Sequence, residues 1–169
     1  MPIYPVLATR SYVRADADNC IVCPMQRIAR QLLRHGVTTY LYNYFGQAHI
    51  RFCDWSAVWN PIAPMNLPLN WSSHGTGIPF MFNTTVGADI NTEPQTLHCA
   101  FAPQEYALVD AFQSYFTSFA KDGRPTGGPA VWPQANASPD LTTLLLGLPT
   151  SYVDGHRKSD CEFWSSLQQ

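Results

Sequence analysis

Charge is what this sequence has least of: only 13% of its 169 residues are Asp, Glu, Lys or Arg, against a usual proportion of about 25%. Ser, Thr, Asn and Gln fill the surface instead, which suits a secreted glycoprotein or a piece of a larger protein. Ten basic and 12 acidic residues leave a net charge of −2, and the basic ones form no cluster able to neutralise a row of phosphates. That excludes electrostatic nucleic-acid binding. No apolar run comes near the roughly 18 residues of a membrane-spanning helix, so no transmembrane segment is expected. The first residues, Met1-Pro-Ile-Tyr-Pro-Val-Leu-Ala-Thr-Arg10, also lack the basic stretch and long apolar segment of a signal peptide. Disorder is excluded by a hydrophobic content of 46%. The length fits one domain, or part of one, of roughly 100–200 residues.

Two kinds of chemistry are missing as well. Cys20-x-x-Cys23 has neither a second such pair nor an H-x-x-x-H to complete the four ligands of a closed zinc site, and no strand precedes it as a thioredoxin-like redox pair requires. No metal is therefore expected. Nor does any Gly stand two residues before a Ser, so the G-x-S-x-G turn that presents a nucleophile in serine hydrolases is absent. Gly127-Gly128 runs into Pro129, which has no N–H to offer an oxyanion. An acyl-transfer enzyme cannot be assembled from this chain alone.

What is present reads as an α/β layer protein. After Arg10–Cys23, a loop or short helix, Met25, Ile28, Ala29, Leu32 and Leu33 recur at helical spacing and Gly36 supplies the stop. The β-branched and aromatic run Val37–Phe45 predicts a buried strand. A long aromatic loop carrying Trp55, Trp59 and Trp71 follows. A second helix is expected over Pro103–Lys121, with Tyr106, Val109, Phe112, Phe116 and Phe119 as its apolar stripe. Leu141–Leu146 predicts a short strand, and Ser159-Asp-Cys-Glu162 a capping box opening a terminal helix. No repeat or interior domain boundary is evident.

Five cysteines, Cys20, Cys23, Cys53, Cys99 and Cys161, accompany the sequons Asn70-Trp-Ser, Asn83-Thr-Thr and Asn136-Ala-Ser, the last weakened by Pro139. Disulfides are expected, with pairing undetermined by spacing. Features of an oxidising compartment without an export signal point to an absent N-terminal portion. Of the five histidines, His35 closes a helix, where it can meet the terminal carbonyls, and His156 stands near the last helix. His74, in Ser72-Ser73-His74-Gly75 between the aromatic loop and Ile78-Pro-Phe-Met-Phe82, has the context of a side chain held at a cleft rim.

Read in order, seven segments resemble the C-terminal third of the carboxylesterase type B family, α/β-hydrolases that include cholinesterases and secreted fungal lipases. They are Asp18-Asn-Cys-Ile-Val-Cys-Pro24, Thr39-Tyr-Leu-Tyr42, His74-Gly75, Phe80-Met-Phe82, Phe119-Ala-Lys-Asp-Gly-Arg-Pro125, Trp132-Pro133 and Cys161-Glu-Phe-Trp164. The resemblance implies the last sheet strands and covering helices of an α/β-hydrolase fold, with an incomplete sheet, as a single partial domain over residues 1–169. It implies that His74 is the triad histidine, with Gly75 beside it, and that Asp18 supports the site from behind. It also implies a disulfide between Cys23 and Cys161. Cys53 with Cys99 is a second candidate pair, leaving Cys20 free, and glycans are expected at Asn70 and Asn83.

Gly77 stands where the family usually has an acidic residue, Asn83 where it has Gly, and the 46–73 loop is longer than typical. The Ser, acid and oxyanion loop would lie upstream of His74. The expected partners are thus an N-terminal portion of the hydrolase and an ester substrate, with no cofactor, in a parent protein that is secreted. Non-catalytic members of the family, such as the neuroligins, supply the alternative of a binding module.

Overall fold

The computed structural model describes residues 4–44, 77–84, 86–88, 96–98, 101–136 and 140–167. It is a mixed α/β structure. Helix α1 runs over Tyr4–Ala17 and passes through a π-helical turn, Asp18–Val22, directly into α2, Cys23–Arg34. The stretch expected as a loop or short helix is therefore helical throughout; Arg14, Ala15 and Ala17 are good helix formers, and Pro24 stands at the junction where the π-helical turn, closed by the Cys23 N–H on the Asp18 carbonyl, gives way to α2. Gly36 ends α2 at a φ of 73°, which only a residue without Cβ adopts freely.

Strand β1 is Tyr42–Tyr44, α3 is Ile78–Phe82, β2 and β3 are Val86–Ala88 and Thr96–His98, and α4 is Tyr106–Asp122 behind a 3₁₀ turn at Pro103–Glu105. Strands β4, Thr142–Leu146, and β5, Ser151–Asp154, precede α5, Lys158–Ser166. The three-stranded sheet has the order β1-β4-β5, and β2 pairs with β3 antiparallel, Gly87 opposite Leu97. The short connection 147–150 makes β4 and β5 a hairpin, with Thr142 Oγ1 donating to Asp154 Oδ1 at 2.5 Å.

The described chain forms two compact units, one of residues 1–42, 133–144 and 152–169, the other of 43–132 and 145–151. In the first, Leu141 and Leu144 of the β4 region are buried, Asp18 is only 4% exposed, and Gln26 Nε2 on α2 donates to the His156 carbonyl at 2.6 Å. In the second, Phe80 is ringed by Tyr44, Phe101 and Phe112 at centroid distances of 5.9, 5.1 and 6.1 Å. Beside this cluster Tyr115 meets Trp132 edge-on at 5.4 Å. The Tyr115 hydroxyl donates to the Ala130 carbonyl at 2.5 Å and accepts the Ala130 N–H at 3.0 Å.

Four expectations need correction. The strand expected over 37–45 is regular only at Tyr42–Tyr44: the stretch before it is held by single backbone bonds, Ala135 N–H to the Thr39 carbonyl and Leu144 N–H to that of Leu41, because a ladder extends only as far as its partner. Tyr42 is exposed rather than buried. On α2 the apolar positions Met25, Ile28 and Leu32 face solvent, and Cys23, Gln26 and Ala29 are buried instead. On α4 the buried face is offset from the expected stripe: Leu108, Val109, Ala111, Phe112 and Tyr115 are buried while Tyr106 and Phe119 are exposed. The capping box at 159–162 does not form: α5 begins at Lys158 after Arg157, which lies at φ 57° with no side-chain cap.

Candidate functional site

His74, Gly75 and Asn70 lie outside the described residues, as do Cys53, Cys99 and the three loop tryptophans. The chain becomes described at Gly77, three residues beyond His74. Its φ of −77° is available to any residue. A Cβ there would meet the rings of Phe112 and Tyr44 at 3.6 and 3.7 Å, ordinary contact distances. An acidic side chain at this position would start against two aromatic rings. Gly77 instead lets the following turn of α3 close with Met81 N–H on the Gly77 carbonyl at 3.1 Å and carries Phe80 into the aromatic cluster. That cluster fixes the segment that follows His74 in the chain.

Glu105 is fully buried in the same unit. Its Oε2 accepts the Ala102 N–H at 2.6 Å, half of a capping arrangement, while Oε1 has no hydrogen-bond partner among the described residues. Burial raises its pKa against the opposing effect of that N–H. The Tyr44 phenol is pushed up by burial and then by Glu105. Phenol and carboxyl alike are thereby held toward their neutral forms, which fits a structural anchor better than a proton shuttle.

In the other unit Asp18 and Cys23 occupy adjoining turns of one continuous helix and are tied to the C-terminal segment. Arg157 grips Asp18 with both arms of its guanidinium, Nε to Oδ1 at 2.9 Å and Nη2 to Oδ2. Arg157 Nη1 also reaches Asp160 at 3.2 Å. One helical turn beyond Asp18, Cys23 is joined to Cys161 by a disulfide, with Cα atoms 5.2 Å apart. The Cys20-x-x-Cys23 pair is therefore split: Cys20 is an exposed free thiol whose pKa is raised by its contact with Asp16 at 3.6 Å. Arg157 went unrecognised in the sequence because nothing in Gly155-His-Arg-Lys158 marks a partner 139 residues away. Its only local signal is the bend at Gly155.

A protein-family model described as the carboxylesterase family matches residues 5–164. The chain belongs to that family. Among solved structures, two of carboxylesterase EST55 from Geobacillus stearothermophilus, at pH 6.2 and 6.8, are similar to it. The first aligns with a TM-score of 0.53 and 18% identity, over 83% of this chain and 24% of that one. For the second the TM-score is 0.55 and the identity 16%, over 83% of this chain and 25% of that one. The chain thus spans about a quarter of the length of the carboxylesterases it matches in structure, and at these identities the likeness shows the fold, which corresponds to a portion of an α/β-hydrolase. No curated protein sequence matches it significantly.

Proposed function

We propose that this chain is the C-terminal portion of a secreted carboxylic-ester hydrolase, in which His74 serves as the catalytic base. The observation that carries this reading is the family match over residues 5–164 in a chain that spans only 24% of a carboxylesterase of the same fold. In the complete site a Ser from the N-terminal portion attacks the ester carbonyl while His74 takes its proton. The alkoxide leaves with that proton, and a water activated by the same imidazole then releases the acid. An upstream carboxylate would hold the imidazole tautomer, and upstream backbone N–H groups would receive the oxyanion. What this chain contributes besides the base is the anchored segment from Gly77 to Phe82 and the Asp18–Arg157 and Cys23–Cys161 ties. A disulfide of this kind persists in oxidising compartments, which supports export of the parent protein.

Sequencing the transcript upstream of Met1 tests the proposal. The expected result is an in-frame G-x-S-x-G segment, and the joined polypeptide should hydrolyse p-nitrophenyl esters and lose at least about 10²-fold in turnover on His74→Ala. Stoichiometric labelling of the present chain alone by a fluorophosphonate would overturn it.

A further inference from the structure

We infer that Asn83 carries an N-linked glycan, a modification that rests on the exported reading above. Asn83 ends α3 in the left-handed conformation, φ 48° and ψ 47°. Its own N–H and that of Thr84 both close on the Pro79 carbonyl, so the backbone alone fixes the turn. The side-chain amide is exposed and has no hydrogen-bond partner among the described residues. Left-handed backbone explains why Gly or Asn stands here, but it places no demand on the residue two positions later. That residue is Thr85, which completes Asn83-Thr84-Thr85 as an acceptor sequence. Of the three sequons this one has Thr at the third position and no following Pro, whereas Pro139 follows that of Asn136.

The surroundings give a glycan something to do. Ile78 and Phe82, a helical turn apart and so on one face of α3, are 55% and 68% exposed. Phe82 immediately precedes Asn83. The apolar face of a sugar ring packs against an aromatic side chain, and a branched oligosaccharide on the Asn83 amide would shield both residues from other apolar surfaces. The transfer needs an oligosaccharide donor of the lipid-linked diphosphate class. Nδ2 of Asn83 bonds to the sugar C1 as the bond from C1 to the phosphate oxygen breaks; Nδ2 loses one proton and the lipid diphosphate departs.

The experiment translates the full chain behind a supplied signal peptide in the presence of microsomes, with endoglycosidase-sensitive mobility and peptide mass as readouts. Asn83→Gly removes the acceptor and retains a residue suited to positive φ; Thr85→Ala removes the sequon and retains Asn83. Both are expected to abolish one glycan that persists in Asn70→Gln and Asn136→Gln. Because transfer is read on the newly made chain, a folding defect in either variant leaves the result interpretable. A glycan count that Asn83→Gly and Thr85→Ala leave unchanged from the wild type, or no shift at all, overturns the inference. Absence of the parent protein from the secretory pathway, seen separately by locating the native product, would instead defeat the exported reading.

Discussion

Glu105, buried, and His156, half-buried, are groups of opposite charge type, and acidity acts on them in opposite directions. Burial raises the pKa of Glu105 above its ordinary 4.5, so between that value and the raised one the folded state holds a proton that the unfolded state has lost. Stability from this group is complete at low pH and falls as pH rises through the window. His156 is lowered from 6.5 by burial, then by Arg14, with Asp160 opposing. Here the unfolded state takes up the extra proton, and stability is lost as pH falls below 6.5 through the folded value. Denaturant titrations across this range should show Glu105→Gln, which keeps an acceptor for the Ala102 N–H, removing the loss above pH 4.5 and leaving the acid limb intact. An unchanged profile would mean that Glu105 is not protonated on folding. At Gly128 the test is steric: a Cβ would come within 2.1 Å of the Tyr115 ring. Gly128→Ala should cost about 1–3 kcal/mol by overpacking, read from the unfolding midpoint, and Tyr115→Phe about 1–3 kcal/mol by orphaning both polar groups of Ala130.

At the scale of elements, the helix comprising α1, the π-helical turn and α2 is pinned to α5 by a disulfide and an ion pair. Removing Arg157 leaves Asp18 as a buried, unpaired carboxylate, so Arg157→Ala should destabilise by about 3–5 kcal/mol. Asp18→Asn together with Arg157→Ala should recover part of that, and a double-mutant cycle on thermal unfolding checks it. Cys23→Ser with Cys161→Ser should cost about 2–5 kcal/mol under oxidising conditions. These elements also show how far sequence alone carries. The helix at 23–34, the strand at 142–146 and the long helix ending at Gly123 follow from periodicity and stop signals that act within a few residues. The buried face of α4 does not, because both Phe119 and Leu108 are apolar and only what packs against the helix decides which of them is covered. Arg157 was invisible for a different reason: its partner is set by the fold, and its neighbours carry no motif. The sequence context singled out His74, but its role as the triad base rests on the family resemblance, and it lies outside the described residues.

For the molecule as a whole, the decisive feature is a helix face that its own unit does not cover. Ile21, Met25, Ile28 and Leu32 lie along one side of the continuous helix and are 53%, 49%, 51% and 40% exposed, although their spacing is that of a buried stripe. A protein this low in charge has little to offset such a surface, and contiguous exposed apolar faces mark sites of association. The chain spans 24% of a carboxylesterase of the same fold, and a part separated from the rest of a hydrophobic fold exposes what the rest would cover. The isolated chain should therefore bind a hydrophobic dye and associate with rising concentration in light scattering. Met25→Lys with Ile28→Glu, both at exposed positions that add no buried charge, should reduce both signals while leaving the far-UV spectrum unchanged. A wild-type chain that stays monomeric at all concentrations, binds no dye and unfolds cooperatively would show that it stands alone, and the proposal that it completes a larger hydrolase would then fail.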